Sequence, residues 1–389
     1  LMSAAGPLDG IRVLDLTSVI LGPMAAQYLG DMGADVIKIE APEGDITRSI
    51  GARRSEGMGA LFLANNRNKR SVVLDLKRAD DRASLTALAR DCDVLLHSIR
   101  AASASKIGLG YEALAAINPR LIYCHVKGFS DAGLYAGRPA YDDVVQALSG
   151  LAMLQAVIAG EPRYVPSIIA DKITAVHAAY AITLALFARE RTGRGQAVGV
   201  PMMETMVAFN SAEHLAGGVF DPQEGKMGYE PLREGLRRPF KTQDGWICAL
   251  PYTDTNWLRF FALVGRQDLA ADSRFGTQRG RQSNLALVLG ELAKQLTSRT
   301  SAEWIGLLGA ADIPCAVVND LQALLDDPHL TSVDFWQRLE HPTEGWLRMP
   351  SPTWRCAMPA TWRPCKRCWR FKGSMAGWCL GAATKIPWR

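Results

Sequence analysis

An α/β fold is expected for this chain: a Rossmann-like parallel sheet forming a large domain, followed by a smaller α+β domain. Two observations point to the sheet and one to the second domain. Short apolar runs recur through the first 130 residues with helix-length patterns between them, and strands spaced in that way pair in parallel through right-handed crossovers. An apolar stretch of helical length follows from residue 171. Residues 218–244 are rich in Gly, Pro and charge, and a fresh set of strand and helix signals begins after them.

Taken in order, residues 11–16 (IRVLDL) form a first strand, and Gly22-Pro23 marks the turn into the helical segment MAAQYLGDMG. Asp35–Glu40 is a second strand, ending in strict alternation. Strand runs at 71–76, 93–97 and 121–125 continue the series, with helical patterns such as ASLTALARDC between them. A long helix is expected over 171–191, stopped by the glycines of Thr192-Gly193-Arg194-Gly195. A strand at 196–200 and a helix at 202–216 complete this part. The second domain opens on WICALPY and continues through helices near 254–265, 284–298 and 301–309. The resulting division is 1–217 for the large domain, 218–244 for a linker, 245–330 for the small domain, and 331–389 for a return to the large one.

Composition narrows the function classes. A length of 389 residues suits two or three folding units, and 48% hydrophobic residues is ordinary for a soluble α/β enzyme. The net charge of +5 comes from the tail: residues 353–389 hold eight cations and no acid, so the remainder carries −3. No basic face for nucleic acid is expected from a mildly acidic body. No apolar run approaches the roughly 20 residues of a bilayer span, and the amino end lacks a basic stretch followed by an apolar core. A cytoplasmic protein without a membrane partner is expected.

Cys365 and Cys368 make a lone C-x-x-C in the tail, but a zinc site wants a second pair or nearby histidines, and the last histidine is His341. No metal site is expected. Cys92, Cys124, Cys248 and Cys315 stand in apolar contexts and read as small buried hydrophobes. A nicotinamide site is disfavoured as well. The turn after the first strand reads Thr17-Ser18-Val19-Ile20-Leu21-Gly22-Pro23, with one glycine where a pyrophosphate would need several, followed by a proline that lacks an N–H.

Seven ordered blocks give a positive signal. They are PLDGIRVLDLTSVILGPMAAQYLGDMGADVIKIEAPEGDITR at the start, NNRNKRS at 65–71, KIGLGYEAL at 106–114, NPRLIYCHVKGF at 118–129, YAGRPAYDDVVQALSG at 135–150, IADK at 169–172 and ERTGRGQ at 190–196. A looser block, DGWICALPYTDTNW, follows at 244–257. In this order they resemble the class III CoA-transferases (the formyl-CoA transferase and carnitine-CoA transferase family, CaiB/BaiF-like) over about residues 7 to 350.

The resemblance implies a chemistry that the residue types can support. Moving CoA between acids needs a group that accepts the acyl chain and then CoA, and a carboxylate does both through a mixed anhydride and an aspartyl thioester. The family's aspartate falls on Asp171. An Asp at a helix start also caps orphan N–H groups, which is the bland reading of the residue by itself. The family's CoA contacts fall on Asn68, Lys69, Arg70 and Ser71 against the nucleotide, and on Arg100 and Lys106 nearby. Ala140, Tyr141 and Asp142 fall on the pantetheine side, with Ile20 and Leu21 in the first turn. Coenzyme A or acyl-CoA is then a substrate, a small carboxylic acid its partner, and no tightly bound cofactor is expected. The resemblance also implies an interlocked homodimer with the small domain inserted into the large one.

Departures bear on the substrate. Ala41 stands where family members often carry an Arg for a CoA phosphate, Ile20 where formyl-CoA transferases carry a Gln, and no glycine-rich loop appears between 225 and 250. A larger or more apolar acyl group, such as a succinyl donor with a branched or aromatic acid acceptor, is expected rather than formyl or oxalyl. A racemase acting on 2-methylacyl-CoA shares the fold but needs a base pair that includes His, and Tyr141 occupies the position of that His. A non-catalytic homologue is the third reading. After about residue 352 the family pattern gives way to a Trp-, Cys- and Arg-rich tail, a composition that suggests translation in a shifted reading frame.

Overall fold

The computed structural model describes residues 6–233 and 235–352, so the tail with its C-x-x-C lies outside the described residues. They divide into two compact units. The larger unit holds residues up to 153, then 163–210, then 334 onward; the smaller holds 154–162 and 211–333.

The larger unit is built on six strands: β1 (Arg12–Leu16), β2 (Asp35–Glu40), β3 (Lys69–Val73), β4 (Val94–His97), β5 (Ile122–Lys127) and β6 (Gln196–Pro201). They lie in the order β3-β2-β1-β4-β5-β6, every pair parallel. That is the doubly wound arrangement, with the order reversing between β1 and β4. Period-2 side-chain alternation explains why both faces are apolar. Val13, Val36, Val94, Leu96, Ile122 and Cys124 point to one face, and Leu14, Leu16, Ile37, Ile39, Leu95 and Tyr123 to the other.

The first face is covered by α1 (Leu21–Asp31) and the helices toward the end of the unit, the second by the helices between β3 and β5. Through that stretch run α3 (Ala79–Arg90), α4 (Ala101–Lys106) and α5 (Tyr111–Ile117), while α2 (Ala60–Asn65) lies between β2 and β3; after β5 come α6 (Asp142–Leu148), α7 (Leu151–Ala159), α8 (Ile169–Thr192) and α9 (Met202–His214). The 24-residue α8 is the main core helix: Ala170, Thr174, Ala178, Ile182 and Ala185 are buried on the face it turns inward, against α1 and the sheet. Small residues there let the helices approach closely. Gly193 ends the helix in the left-handed conformation (φ +70°), as the TGRG turn predicts. By length and composition α8 is apolar enough to cross a bilayer, although it serves here as a core helix. A hairpin of β10 (Trp336–His341) and β11 (Gly345–Pro350) also belongs to this unit.

Two expectations shift. The third strand begins at Lys69 rather than residue 71, because the Lys69 side chain turns inward to a buried partner and its backbone pairs with Val36. Of the four body cysteines, Cys92 and Cys124 are buried, whereas Cys248 is exposed and Cys315 only partly covered. Cys248 lies in a three-stranded antiparallel sheet, β7 (Phe240–Lys241), β8 (Trp246–Ala249) and β9 (Cys315–Val317), whose inner face alone meets the smaller unit's core. That core is aromatic, with Trp257, Phe260, Phe261, Phe275 and Trp304 packed against Ile247 and Leu292.

An ion pair buried on its arginine side ties α8 to the residue that precedes β4. Arg189 Nη1 lies 2.9 Å from Asp93 Oδ1, with the Arg189 side chain only 4% exposed. Replacing Arg189 by Met strands part of that charge, and a loss of about 2 kcal/mol is expected. The urea midpoint of the purified variant measures it; an unchanged midpoint would show that the pair does not contribute.

Candidate active site

Asp171 is the third residue of α8, within its first turn. Ile168, which precedes the helix, offers no side-chain cap. The cap arrives instead from α6. Asp142, buried at the start of that helix, accepts the N–H of Ala170 (2.7 Å) and of Asp171 (3.2 Å) with its Oδ1. Two donors that every helix start leaves orphaned are thereby satisfied by a residue 28 and 29 positions away in sequence.

Asp142 is itself held. Gln146, one turn further along α6, donates to Asp142 Oδ2 (2.6 Å), and its side-chain carbonyl accepts the N–H of Val165 (2.9 Å). The loop approaching α8 is therefore clamped to α6. Ala140, just before α6, lies against Gly128: a Cβ at 128 would come 2.4 Å from that of Ala140, so the close approach requires glycine.

The electrostatics follow from this packing. Burial pushes the Asp171 carboxyl up to about 7, with the like charge of Asp142 adding to the shift. No side-chain donor among the described residues offsets it. Asp171 is thus a weakly solvated carboxylate that is only partly ionised at neutral pH, and a carboxylate stripped of its hydration is a stronger nucleophile than one in water.

Other expected contact residues are dispersed: Ile20, Leu21, Arg100 and Tyr141 follow strand carboxyl ends, whereas Asn68 to Ser71 lie at the amino end of β3. Ile20 is the residue before α1 and Leu21 its first; both are buried and apolar. Asn68 donates to Asp31 (2.5 Å). Lys69 points inward, with Nζ on Asp15 (2.9 Å), the Pro23 carbonyl (2.7 Å) and Asn66 (2.8 Å), and burial draws its ammonium down to about 8. Arg70 forks onto Asp35 at the surface (2.6 and 2.8 Å), and Ser71 donates to Glu40 (2.5 Å). The four residues of this segment thus go to four different acidic or internal partners and do not converge as a cluster. Arg100 and Lys106 are both exposed, one at each end of α4. Tyr141 is 69% exposed, beside the buried Asp142.

Several residues of the site escape a reading of the sequence. Gln146 carries no signal beyond its place in an apolar helix. Lys38 and Asp45 form a buried ion pair (3.0 Å), and the one clue to it is a lysine in the middle of an otherwise apolar strand. His97 and His125, at the carboxyl ends of β4 and β5, stack 4.4 Å apart, and burial draws them down to about 3 and about 4, so both are neutral. His177 lies on an exposed part of α8 against the Ile173 carbonyl (2.9 Å). A cavity of about 820 Å³ opens in the loop after β2, lined by Arg48, Arg53 and Arg54 together with Glu43 and Glu56. No His, Cys, Asp or Glu cluster suited to a metal ion occurs among the described residues.

The doubly wound sheet and the aspartate at the start of its core helix are compatible with an enzyme, and comparison with known proteins gives the family. Residues 8–365 match the family model CoA-transferase family III. The chain belongs to that family. It is 34% identical to the Mycobacterium tuberculosis protein named "Probable fatty acyl-CoA transferase Rv3272", over 83% of this chain and 85% of that one. It is 33% identical to a succinyl-CoA:mesaconate CoA-transferase of Haloarcula marismortui, over 87% and 86% of the two chains. A crystal structure of Rv3272 superposes with a TM-score of 0.80 at 32% identity, covering 91% of this chain and 94% of that one. A CaiB/BaiF family protein from Brucella suis superposes at 0.77 with 29% identity, covering 91% and 93%.

The raised pKa has a consequence in each direction of pH. The folded state holds the Asp171 proton more tightly than the unfolded chain, so its contribution to stability is present at low pH and is lost as pH rises from the unfolded value near 4 through about 7. Asp171→Asn should therefore be more stable than wild type above pH 7, by on the order of 1 kcal/mol, and no more stable near pH 4. Urea unfolding at the two pH values tests this; equal differences at both would show that Asp171 is not desolvated.

Proposed function

We propose that this family III CoA-transferase moves CoA from an acyl-CoA donor to a carboxylic acid through covalent intermediates on Asp171. Its carboxylate attacks the thioester carbonyl, the C–S bond breaks, and CoA leaves as the thiolate. The resulting mixed anhydride is attacked by that thiolate at the aspartyl carbonyl, which releases the donor acid and leaves an aspartyl–CoA thioester. The acceptor carboxylate attacks this thioester, and the returning thiolate then takes the new acyl group and frees Asp171. Atoms and charge balance at every step, and no cofactor is consumed.

The observation that carries the reading is Asp171 itself, a half-buried carboxylate raised to about 7 at the capped start of the core helix in a chain of this family. Only its ionised form is a nucleophile, so turnover should rise with pH through that value. Similarity to a succinyl-CoA:mesaconate CoA-transferase supports a donor larger than formyl or oxalyl, a succinyl or longer acyl group, and Ile20 and Leu21 bring only apolar side chains to the first turn, both of them buried. The CoA contacts carried over by resemblance (Arg100, Lys106, Asn68 to Ser71, and Ala140 to Asp142) belong to the same proposal. Within it Lys69 would have to leave Asp15 before meeting a phosphate, whereas Arg100 and Lys106 are exposed as they stand.

An interlocked homodimer is part of the proposal. Along its outward face α8 exposes Val176, Tyr180, Leu184 and Phe187, each between 45% and 63% accessible, at helical spacing. A contiguous apolar stripe on the core helix supports a face that a second copy covers.

Two experiments test the reading. Incubation with acyl-CoA should leave a CoA-sized mass adduct on the Asp171 peptide that hydroxylamine removes, and Asp171→Ala should lose transfer by at least about 10³-fold while keeping its fold. A wild type that transfers CoA with no adduct under either condition would rule out the covalent route. For the assembly, sedimentation should give a dimer, and Tyr180→Glu with Leu184→Glu should shift it toward monomer; a monomeric wild type would refute that part.

A further inference from the structure

The turn between β1 and α1, residues 17–20, is held by buried charge from three sides. Asp15 accepts the N–H of Thr17 (3.0 Å) and also its hydroxyl. Lys38, reaching across from β2, donates to the Thr17 carbonyl (2.8 Å). Asp45, in the loop after β2, accepts the N–H of Val19 with both carboxylate oxygens (3.3 Å each) and pairs with Lys38 at 3.0 Å. The Lys38 and Asp45 side chains are each only 1% exposed.

The backbone so held is strained. Val19 has φ +72°, in the left-handed region that a β-branched residue adopts only under compulsion. Thr17 is pressed onto Gly22, where an added Cβ would fall 2.3 Å from the threonine Cβ. Asp45 is fixed in turn by the N–H and hydroxyl of Thr47 (3.0 and 2.7 Å), so it has little freedom to follow Val19 into a relaxed shape.

Place gives the strain a meaning. The turn leaves the carboxyl end of β1, beside the point where the strand order reverses, and this is where doubly wound sheets bind their ligands. It leads into α1, which packs along α8, the helix that carries Asp171. Nucleotide-binding turns at this position take their shape from glycines; here charge imposes the shape on a residue that resists it.

We propose that Lys38 and Asp45 are positioning residues for CoA transfer, holding Val19 in its left-handed conformation so that the turn presents one fixed backbone to the bound acyl-CoA. This rests on the proposed CoA-transferase reading and adds to it the device that shapes the first turn. Lys38 and Asp45 touch the turn and not the reacting atoms, so their effect passes through Val19.

Val19→Gly separates this role from a merely structural one. Glycine accepts φ +72° without strain and lets the turn relax. Its Tm should lie within about 3 °C of wild type or above it, while kcat/KM for acyl-CoA, normalised to folded enzyme, falls at least about ten-fold. Val19→Ala, which loses the β-branch but keeps a Cβ, should fall between the two. Asp45→Asn keeps an acceptor for the Val19 N–H and should retain more activity per folded molecule than Asp45→Ala. Val19→Gly with kcat/KM within two-fold of wild type would overturn the proposal, as would a loss of activity that only tracks a loss of folded protein. A wild type that transfers CoA between no donor and acid would instead remove the functional reading on which the proposal rests.

Discussion

One carboxylate, Asp142, closes the amino end of the 24-residue core helix, and much of the site depends on it. It meets two backbone donors that a helix start leaves unpaired in a place where water has little access. Because the cap comes from α6, the two helices are locked at their amino ends, and Gln146 extends the lock to the loop between them. The same charge that satisfies the backbone disfavours a second charge nearby, and the second charge is Asp171. Burial is the larger cause of the raised Asp171 pKa, and the Asp142 charge that completes the helix start adds to it.

Buried charge also replaces glycine as the means of shaping the first turn. Asp15, Lys38, Asp45 and Lys69 form two ion pairs under the carboxyl ends of β1 and β2. Burial works against ionising Asp15, but Lys69, Lys38 and Thr17 together outweigh it and hold its carboxyl below the usual range. Such pairs seldom add net stability, since desolvation offsets much of their attraction, whereas removing one member strands the other. Their evident return here is geometric. Each places a fixed donor or acceptor on the turn's backbone, and the proposed role of Lys38 and Asp45 follows from that placement. The adjoining Glu40 shows the same pattern: burial opposes its ionisation, yet Arg48, Ser71 and Lys38 hold it charged.

The interlocked dimer, the covalent route and the role of the turn each rest on a different observation: an apolar stripe on α8, a carboxylate with a raised pKa, and a strained valine. They are physically independent. The stripe concerns the outer face of α8, the carboxylate its first turn, and the valine a loop on another element. Failure of one leaves the others standing, apart from the dependence of the turn's role on the transfer reaction.

The parallel sheet was legible strand by strand, though not to the residue, because strands buried on both faces must be continuous apolar runs and those runs need no partner to be recognised. Asp35–Glu40 begins and ends where its alternation predicts, and Gly193 stops α8 as its turn requires. Asp171 could be named from the blocks around it, and its place in the first turn of a long helix from periodicity. What tertiary structure alone decided were the partners: that Lys69 spends its charge on Asp15, that Asp142 caps a helix 28 residues away, that Lys38 and Asp45 meet beneath Val19. The physical reason is the range of the forces. Periodicity and caps within a few residues are properties of the local chain, whereas a buried charge takes its meaning from whichever charge the fold brings opposite it. That is why the proposed nucleophile could be located in the sequence and its acidity could not.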